Sequence, residues 1–295
     1  MTTPVPFPRR PAESPSPDPP PRPDPALLAD LRARIRRLER GHGKAGRDQV
    51  PAALTLGDPA IDGALPGGGL ARAALHEVVG PPEEAMGGAM GGTMGAATGF
   101  CAALLGRLAA GDGADGAILW CCRDHDLYGP GLAALGLDPA RLLLVRGRRD
   151  ADVLWAMEEG LRSGVPAAVV GQVAAPAAVA LRRLHLAAET GGVTGFLLGR
   201  APADRQASPA MTRWRVAPLP GGLPSGLSPW PAPRWRLELL RCRGGRPGSW
   251  DVTWHAGPET DGHGTAGGAF AVRPPAAGTA APTGKKTLVF GTAER

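Results

Sequence analysis

Ala74-Leu75-His76-Glu77-Val78-Val79-Gly80-Pro81-Pro82-Glu83-Glu84 is an apolar run that breaks into a Gly/Pro turn and ends on two carboxylates. Ala74–Val79 predicts a strand, and beyond the Gly/Met-rich stretch Ala85–Ala97 the apolar run Thr98–Ala110 predicts a helix. A glycine turn between a strand and a helix is where backbone N–H groups and a helix dipole hold phosphate. Position alone therefore makes Gly80–Ala97 a candidate nucleotide loop, and the rest of the chain decides whether the chemistry is present.

Outward from this unit the alternation continues. Gly116–Cys122, Leu142–Arg146, Ala167–Val170 and Val193–Leu198 predict strands; Asp150–Ser163, with Asp150 as cap, and Pro176–Thr190 predict helices. Nearly continuous apolar strands separated by helices imply a parallel sheet covered on both faces. After residue 200 the period changes to two. Trp214 and Val216 alternate with Arg213 and Arg215 in Met211–Val216, and Trp235, Leu237 and Leu239 alternate with Arg234, Arg236 and Glu238. Trp250, Val252 and Trp254 alternate with Asp251 and Thr253 across Gly244–Gly248, so an antiparallel hairpin closes the domain. The expected fold class is α/β, a mainly parallel sheet flanked by helices and finished by antiparallel strands.

Of the 295 residues 44 are Gly and 33 are Pro, a share that marks part of the chain as other than folded core. Residues 1–25 hold eleven prolines and predict a solvated tail. Residues 26–47 predict an amphipathic basic helix and its linker: Leu28, Leu31, Ile35 and Leu38 share one face and Arg32, Arg34, Arg36, Arg37 and Arg40 surround it. Residues 48–255 are the expected core, and 256–295, rich in Gly, Ala, Pro and Thr, are expected to be a second unstructured tail. No apolar run is long enough to span a bilayer, and the N-terminus has no apolar signal segment, so a cytoplasmic chain without membrane contact is expected. The four cysteines form no CxxC pair, and neither a metal site nor a disulfide framework is indicated.

The net charge of +6 is unevenly spread. Residues 1–47 carry 10 basic and 5 acidic groups, 48–199 carry 10 and 16, and 200–255 carry 9 and 3. Any grip on nucleic-acid phosphate must come from the N-terminal helix or from the arginines after residue 200. Only Lys44, Lys285 and Lys286 are lysines. A working phosphate loop needs a lysine and an adjacent Ser/Thr, and residues 45–284 supply no lysine. Glu83 and Glu84 add repulsion. The fourth predicted strand ends Val169-Val170-Gly171-Gln172, with no aspartate for a magnesium shell. Gly80, Pro81, Glu83, Glu84 and Gly171 thus mark a degenerate nucleotide loop; no catalytic residue, cofactor or metal is expected. His76-Glu77 lacks a second histidine for a metalloprotease, there is no GxSxG elbow, and Asp124-His125-Asp126 fits a solvated loop.

Leu56-Gly57-Asp58-Pro59-Ala60-Ile61-Asp62, then Leu65-Pro66-Gly67-Gly68-Gly69-Leu70 and His76–Pro81, resemble the entry to the RecA recombinase core, as does Leu119–Pro130 with Leu135–Asp138. The closer resemblance is to the ImuA family of bacterial mutagenesis cassettes. It is carried by Gly67–Leu70 with His76-Glu77, by Leu127–Leu132, Leu154–Glu159 and Arg182–Glu189, and by Thr212–Val216. It covers about residues 26 to 255, and the order and spacing of these motifs make it specific.

The resemblance implies a RecA-like fold and a role in DNA-damage tolerance: SOS mutagenesis and translesion synthesis beside an ImuB-like polymerase homologue, an error-prone C-family DNA polymerase and RecA. It also implies loss of the ATP site, with the magnesium aspartate falling at Gly171 and the activating glutamate near Asp124. By the same resemblance the segment corresponding to RecA's DNA-binding loop, Gly199–Pro209, is short and carries only Arg200 and Arg205, so DNA contact is expected to be weak or indirect. The expected function is a non-catalytic adaptor, with Leu28, Leu31, Ile35, Leu38, Arg182 and Arg183 as candidate partner contacts. Arg213, Trp214, Arg215, Arg234 and Arg236 are candidates for DNA or partner contact. The rival readings are a SulA-like cell-division inhibitor and a residual ATPase that uses Arg107 or Arg123 in place of the lysine.

Overall fold

The computed structural model describes residues 53–81, 90–110, 116–123, 127–199, 208–221, 232–257, 259–260, 264–265 and 268–273. The Pro-rich stretch, the segment expected to be a basic helix with Leu28, Leu31, Ile35 and Leu38, Glu83 and Glu84, and Asp124-His125-Asp126 lie outside the described residues.

Pro59–Asp62 form a first helical turn, α1, capped by Asp58, whose Oδ1 accepts from Ala60 N–H at 2.9 Å. The strand β1 (Leu75–Val79) is buried along its whole length and leads, past residues 80–89, into helix α2 (Met90–Ala110). The chain then builds β2 (Ile118–Cys122), α3 (Gly129–Ala134), a 3-10 turn (Pro139–Arg141), β3 (Leu142–Arg146), α4 (Asp150–Ser163), β4 (Ala168–Gln172), α5 (Ala178–Gly191) and β5 (Thr194–Gly199). From there it runs through strands only: β6 (Thr212–Pro218), β7 (Arg234–Cys242), β8 (Gly248–His255), the two-residue pair β9 (Glu259–Thr260) and β10 (Gly264–Thr265), and β11 (Ala269–Val272).

Nine strands make one sheet in the order β11-β8-β7-β6-β1-β5-β4-β2-β3. Every pair from β3 across to β6 is parallel, and the pairs β6–β7, β7–β8 and β8–β11 are antiparallel. This is the expected class: a mainly parallel sheet finished by antiparallel strands. Its two faces bury different cores. Val78, Trp120, Phe196, Trp214, Leu237 and Trp254 pack against α2 in a core that runs under both halves of the sheet. Leu75, Cys121, Val169 and Leu197 pack on the other face against Val153, Met157 and Leu161 of α4 and Leu181 and Leu184 of α5, and this second core underlies the parallel half only.

Three local expectations are corrected. Helix α2 starts at Met90 rather than Thr98; Ala96 and Ala97 are buried, and two apolar methyls on the core-facing side outweigh the glycines that made this stretch read as loop. Asp150 does not cap α4: Asp152 accepts from Arg149 N–H at 3.0 Å, and Asp150 meets Arg123 instead. β11 lies inside the stretch expected to be an unstructured tail. Phe270, 1% exposed, stacks against Phe100, Trp235 and Trp254 at centroid distances of 5.3, 6.1 and 4.9 Å, and one aromatic side chain holds a four-residue strand that composition argues against.

Candidate functional site

A parallel sheet presents its ligand-binding crevice beyond the C-terminal ends of its strands. In this chain those ends are Val79, Cys122, Gln172 and Gly199, with Gly80 buried directly after β1. Little space is left there for side chains. A Cβ at Gly171 would overlap Met157 Sδ of α4, and a Cβ at Gly199 would stand 2.6 Å from Val173 O. Gly171 is the position where a magnesium-binding aspartate is expected by resemblance, and a carboxylate there has no room unless Met157 moves. Beside it Gln172 keeps a buried Oε1 that has no hydrogen-bond partner among the described residues. Gly80, Pro81 and Gly171 are thus brought to one end of the sheet.

Of the two substitute cations, Arg107 is placed away from the loop. Arg107 lies in the last turn of α2, at the end of the helix away from the loop. Its Nε donates to Thr55 O at 2.8 Å and its Nη2 to Thr55 Oγ1 at 3.1 Å, while Nη1 donates to Gly268 O. It is a clamp across the end of the sheet, and about 17 helical residues, roughly 25 Å at the usual rise, separate it from the start of α2. The residual-ATPase reading through Arg107 is corrected accordingly. Arg123, at the end of β2, is engaged by Asp150 at 3.3 Å. Burial pushes the Cys121 thiol up to about 12 and raises Cys101 further, so neither thiol is poised as a nucleophile. Among the described residues no group of three or more His, Cys, Asp or Glu side chains gathers to hold a metal ion.

His76 is a structural bridge. Its Nε2 lies 2.8 Å from Ala71 O and its Nδ1 2.7 Å from Thr212 Oγ1. A carbonyl only accepts, so the proton sits on Nε2 and Nδ1 accepts from the Thr212 hydroxyl, which in turn accepts from Trp214 Nε1–H at 2.9 Å. The ring is fully buried and held neutral, its pKa lowered to about 4 by desolvation. This relay ties β1 to β6 where the parallel and antiparallel halves meet. The neighbouring Glu77 is also buried, in register with Arg213 of β6.

The arginines after residue 200 divide into buried and paired. Trp214 is completely buried and Arg213 is 7% exposed, so neither faces a nucleic acid; that part of the expectation is corrected by the alternation of β6, which sends Trp214 into the larger core. Arg215 pairs with Glu238 at 2.8 Å, and Arg236 meets Asp251 through two bonds of 2.7 and 3.0 Å. Arg234 donates to Pro220 O at 2.9 Å. On the hairpin Arg215 and Arg236 are compensated by cross-strand carboxylates, while Arg234 and Arg241 donate to the backbone carbonyls of Pro220 and Ser208.

Arg182 and Arg183 are both exposed on α5 but differ in role. Arg183 reaches Glu158 of α4 at 2.5 Å, and Arg162 reaches the same carboxylate at 2.6 Å, so Arg183 bolts two helices together. Arg182 stands between Val179 and Leu186, which are 72% and 52% exposed, on the outer stripe of α5. Leu143, Leu144, Tyr128 and Trp155 are exposed as well, and none of these apolar residues is among the contact candidates expected from the sequence. The signal for the α5 stripe was available in the spacing of 179, 182 and 186; for Leu143 and Leu144 the sequence pattern is that of any buried strand.

A mixed-sheet α/β protein, mainly parallel with antiparallel C-terminal strands and with close-packed glycines at the C-terminal ends of β4 and β5, is the class these features define. Protein ImuA of Caulobacter vibrioides is 42% identical to this chain over 221 residues, spanning 70% of this chain and 85% of that protein, in strain NA1000 / CB15N and in strain ATCC 19089 / CIP 103742 / CB 15 alike. The chain belongs to the ImuA family. The crystal structure of SulA from Pseudomonas aeruginosa is a looser likeness, at 24% identity and a TM-score of 0.33 over 37% of this chain and 92% of that one. No family model matches the sequence.

Proposed function

We propose that this chain is a non-catalytic accessory protein of DNA-damage tolerance, an adaptor that works in the cytoplasm with an ImuB-like polymerase homologue. An error-prone C-family DNA polymerase and RecA filaments are its further partners in translesion mutagenesis. The observation that carries this reading is Gly171: the end of β4 holds a glycine under Met157 Sδ where phosphoryl-transfer chemistry needs a carboxylate. The absence of lysine from residue 45 to residue 284 supports it independently. A strand-turn-helix body without the charges of phosphoryl transfer retains surfaces rather than a reaction. Contact with DNA, on this reading, is weak or indirect, because Arg215 and Arg236 already have carboxylate partners.

Partner contact is assigned to two places: Leu28, Leu31, Ile35 and Leu38 of the basic segment, and Arg182 on the outer face of α5. The test is titration calorimetry of the purified full chain with ATP and magnesium, together with co-purification with the ImuB and RecA proteins of the same source. No heat of ATP binding and retention of a partner that is lost in Leu31→Asp/Ile35→Asp or Arg182→Glu is the expected result. Saturable ATP binding with turnover would overturn the non-catalytic reading. Filamentous growth on overexpression without ImuB would replace the adaptor by a division inhibitor.

A further inference from the structure

The sheet face that packs on α4 and α5 is covered by them only in its parallel half. Its continuation carries an inference that rests on the adaptor reading and gives its weak nucleic-acid contact a place. Strand alternation sorts the antiparallel half. Trp214, Leu237, Val252, Trp254 and Phe270 turn to the larger core, so Arg215, Arg236, Glu238, Asp251 and Thr253 turn to the opposite side. No residue of β6, β7, β8 or β11 belongs to the smaller core on that side.

Register lays out the charges on this face. Arg215 stands across from Glu238, and Arg236 across from Asp251. Arg273 follows β11 at the same level, its N–H donating to Asp251 O at 2.9 Å, and Arg234 lies one same-face step before Arg236 on β7. The Asp251 carboxyl is held below the ordinary carboxylate range first by its bonds to Arg236, and the charges of Arg234 and Arg273 add to the effect. Among the described residues of these strands, Arg215, Arg234, Arg236 and Arg273 share only Glu238 and Asp251.

The turn between β7 and β8 extends the set. Arg243 and Arg246 are exposed, and no carboxylate among the described residues pairs with either. Glu189 of α5, which acts together with Arg243 on His185, already lies 3.2 Å from His185 Nε2. Asp62, in the loop on which the turn packs, is held by Leu56 and Gly57 N–H. The turn itself is fixed: Arg246 N–H donates to Ala64 O at 3.1 Å, and a Cβ at Gly245 would stand 2.7 Å from the same oxygen. Between residues 200 and 255 the one further acid is Asp204, outside the described residues and between Arg200 and Arg205 in sequence.

We propose that this face binds the phosphate backbone of nucleic acid without reading its sequence. From Arg236 to Arg243 the basic track runs roughly 20 Å at the usual strand rise. Ala217, Ser249, Thr253 and Ala271 are the small side chains in register beside its charges. The track therefore offers neither an apolar anchor for a protein partner nor an aromatic ring for a base. Planar guanidinium groups match phosphate oxygens, and the surplus of arginine over carboxylate attracts a polyanion in a salt-dependent way. The carboxylates that compensate Arg215 and Arg236 keep the contact weak.

The test is fluorescence anisotropy of the purified full chain with a labelled oligothymidine and with labelled duplexes of unrelated sequence, each long enough to span the face, over a range of salt. Binding that falls with salt and is equal among the duplexes is expected. Arg236→Ala/Arg273→Ala and Arg243→Ala/Arg246→Ala are each expected to weaken it about tenfold and to lower the salt slope by about 2, with an unchanged far-ultraviolet spectrum. Arg236→Lys/Arg273→Lys is expected to keep the slope, and Arg182→Glu, on the outer face of α5, to leave binding unaltered. No binding of any probe at low salt overturns the proposal. Binding unchanged in both alanine pairs also overturns it, by placing the contact elsewhere in the chain. Co-purification of both alanine pairs with the ImuB protein of the same source is expected, which separates this proposal from the adaptor reading; loss of ImuB with nucleic-acid binding intact overturns it in favour of a protein-binding face.

Discussion

The two ends of the sheet are finished differently. At the β11 end the chain folds its own N-terminal loop over the last strand: Phe270 N–H donates to Leu56 O at 3.3 Å, Val272 N–H to Asp58 Oδ2 at 2.8 Å, and Arg107 fastens Thr55 to Gly268. Asp62 holds the loop in turn, accepting from Leu56 and Gly57 N–H at 2.7 and 3.0 Å. At the β3 end nothing comparable occurs among the described residues, and apolar side chains face outward on both sides of the strand. The closed end belongs to the antiparallel half; the open end belongs to the parallel half, whose faces are covered by helices. Among the described residues one edge of the sheet is covered by the chain itself and the other is not.

The comparison can be broken most severely at the closed end. Phe270→Ala removes the ring shared by Phe100, Trp235 and Trp254, and a loss of about 3–5 kcal/mol is expected from urea unfolding, with β11 detached. At the join between the halves, acid has a comparable effect. The folded pKa of His76 lies near 4 against an ordinary 6.5, so the unfolded chain binds the proton first and the His76 relay stabilises the fold above pH 6.5. That contribution, about 3 kcal/mol, drains as pH falls through this window, and His76→Gln is expected to flatten this part of the stability–pH profile. Asp58→Ala loses both the cap of α1 and the bond to β11, for about 1–2 kcal/mol in the same unfolding assay. At the open end Leu143→Ala is expected to cost less than about 1 kcal/mol, because more than half of its surface is already in water.

How much of this was legible in the sequence follows from which interactions are local. Leu142–Arg146 and Asp150–Ser163 are found at the residues predicted, because a continuous apolar run and a helical period are properties of the segment itself. The alternation of Trp235, Leu237 and Leu239 against Arg236 and Glu238 likewise forecasts which side of β7 is buried. β11 was hidden because its stability comes from rings more than a hundred residues away in one case and from the hairpin in the others. The edge position of β3 was hidden for the same reason: strand order is set by tertiary pairing, and an edge leucine and a central leucine have the same local pattern. At the candidate site the absence of lysine from residues 45–284 is plain in the sequence, but only packing discloses that Met157 fills the space beside Gly171. The alternation in Met211–Val216 already separates Trp214 from the arginines, but the burial of Arg213 follows from the place of β6 between β1 and β7, which strand order alone discloses.

The clamp of Arg107 joins residues 55, 107 and 268, and β1 finds its partners β5 and β6 only after more than a hundred further residues. A chain leaving the ribosome therefore carries β1 as a lone apolar strand until the second half of synthesis, and it cannot seal the β8 edge until residue 272 has emerged. Contacts so distant in sequence slow folding and lengthen the time during which sticky segments are bare. Folding of the full chain is accordingly expected to be slow, with the sheet completed only when its last strand is available.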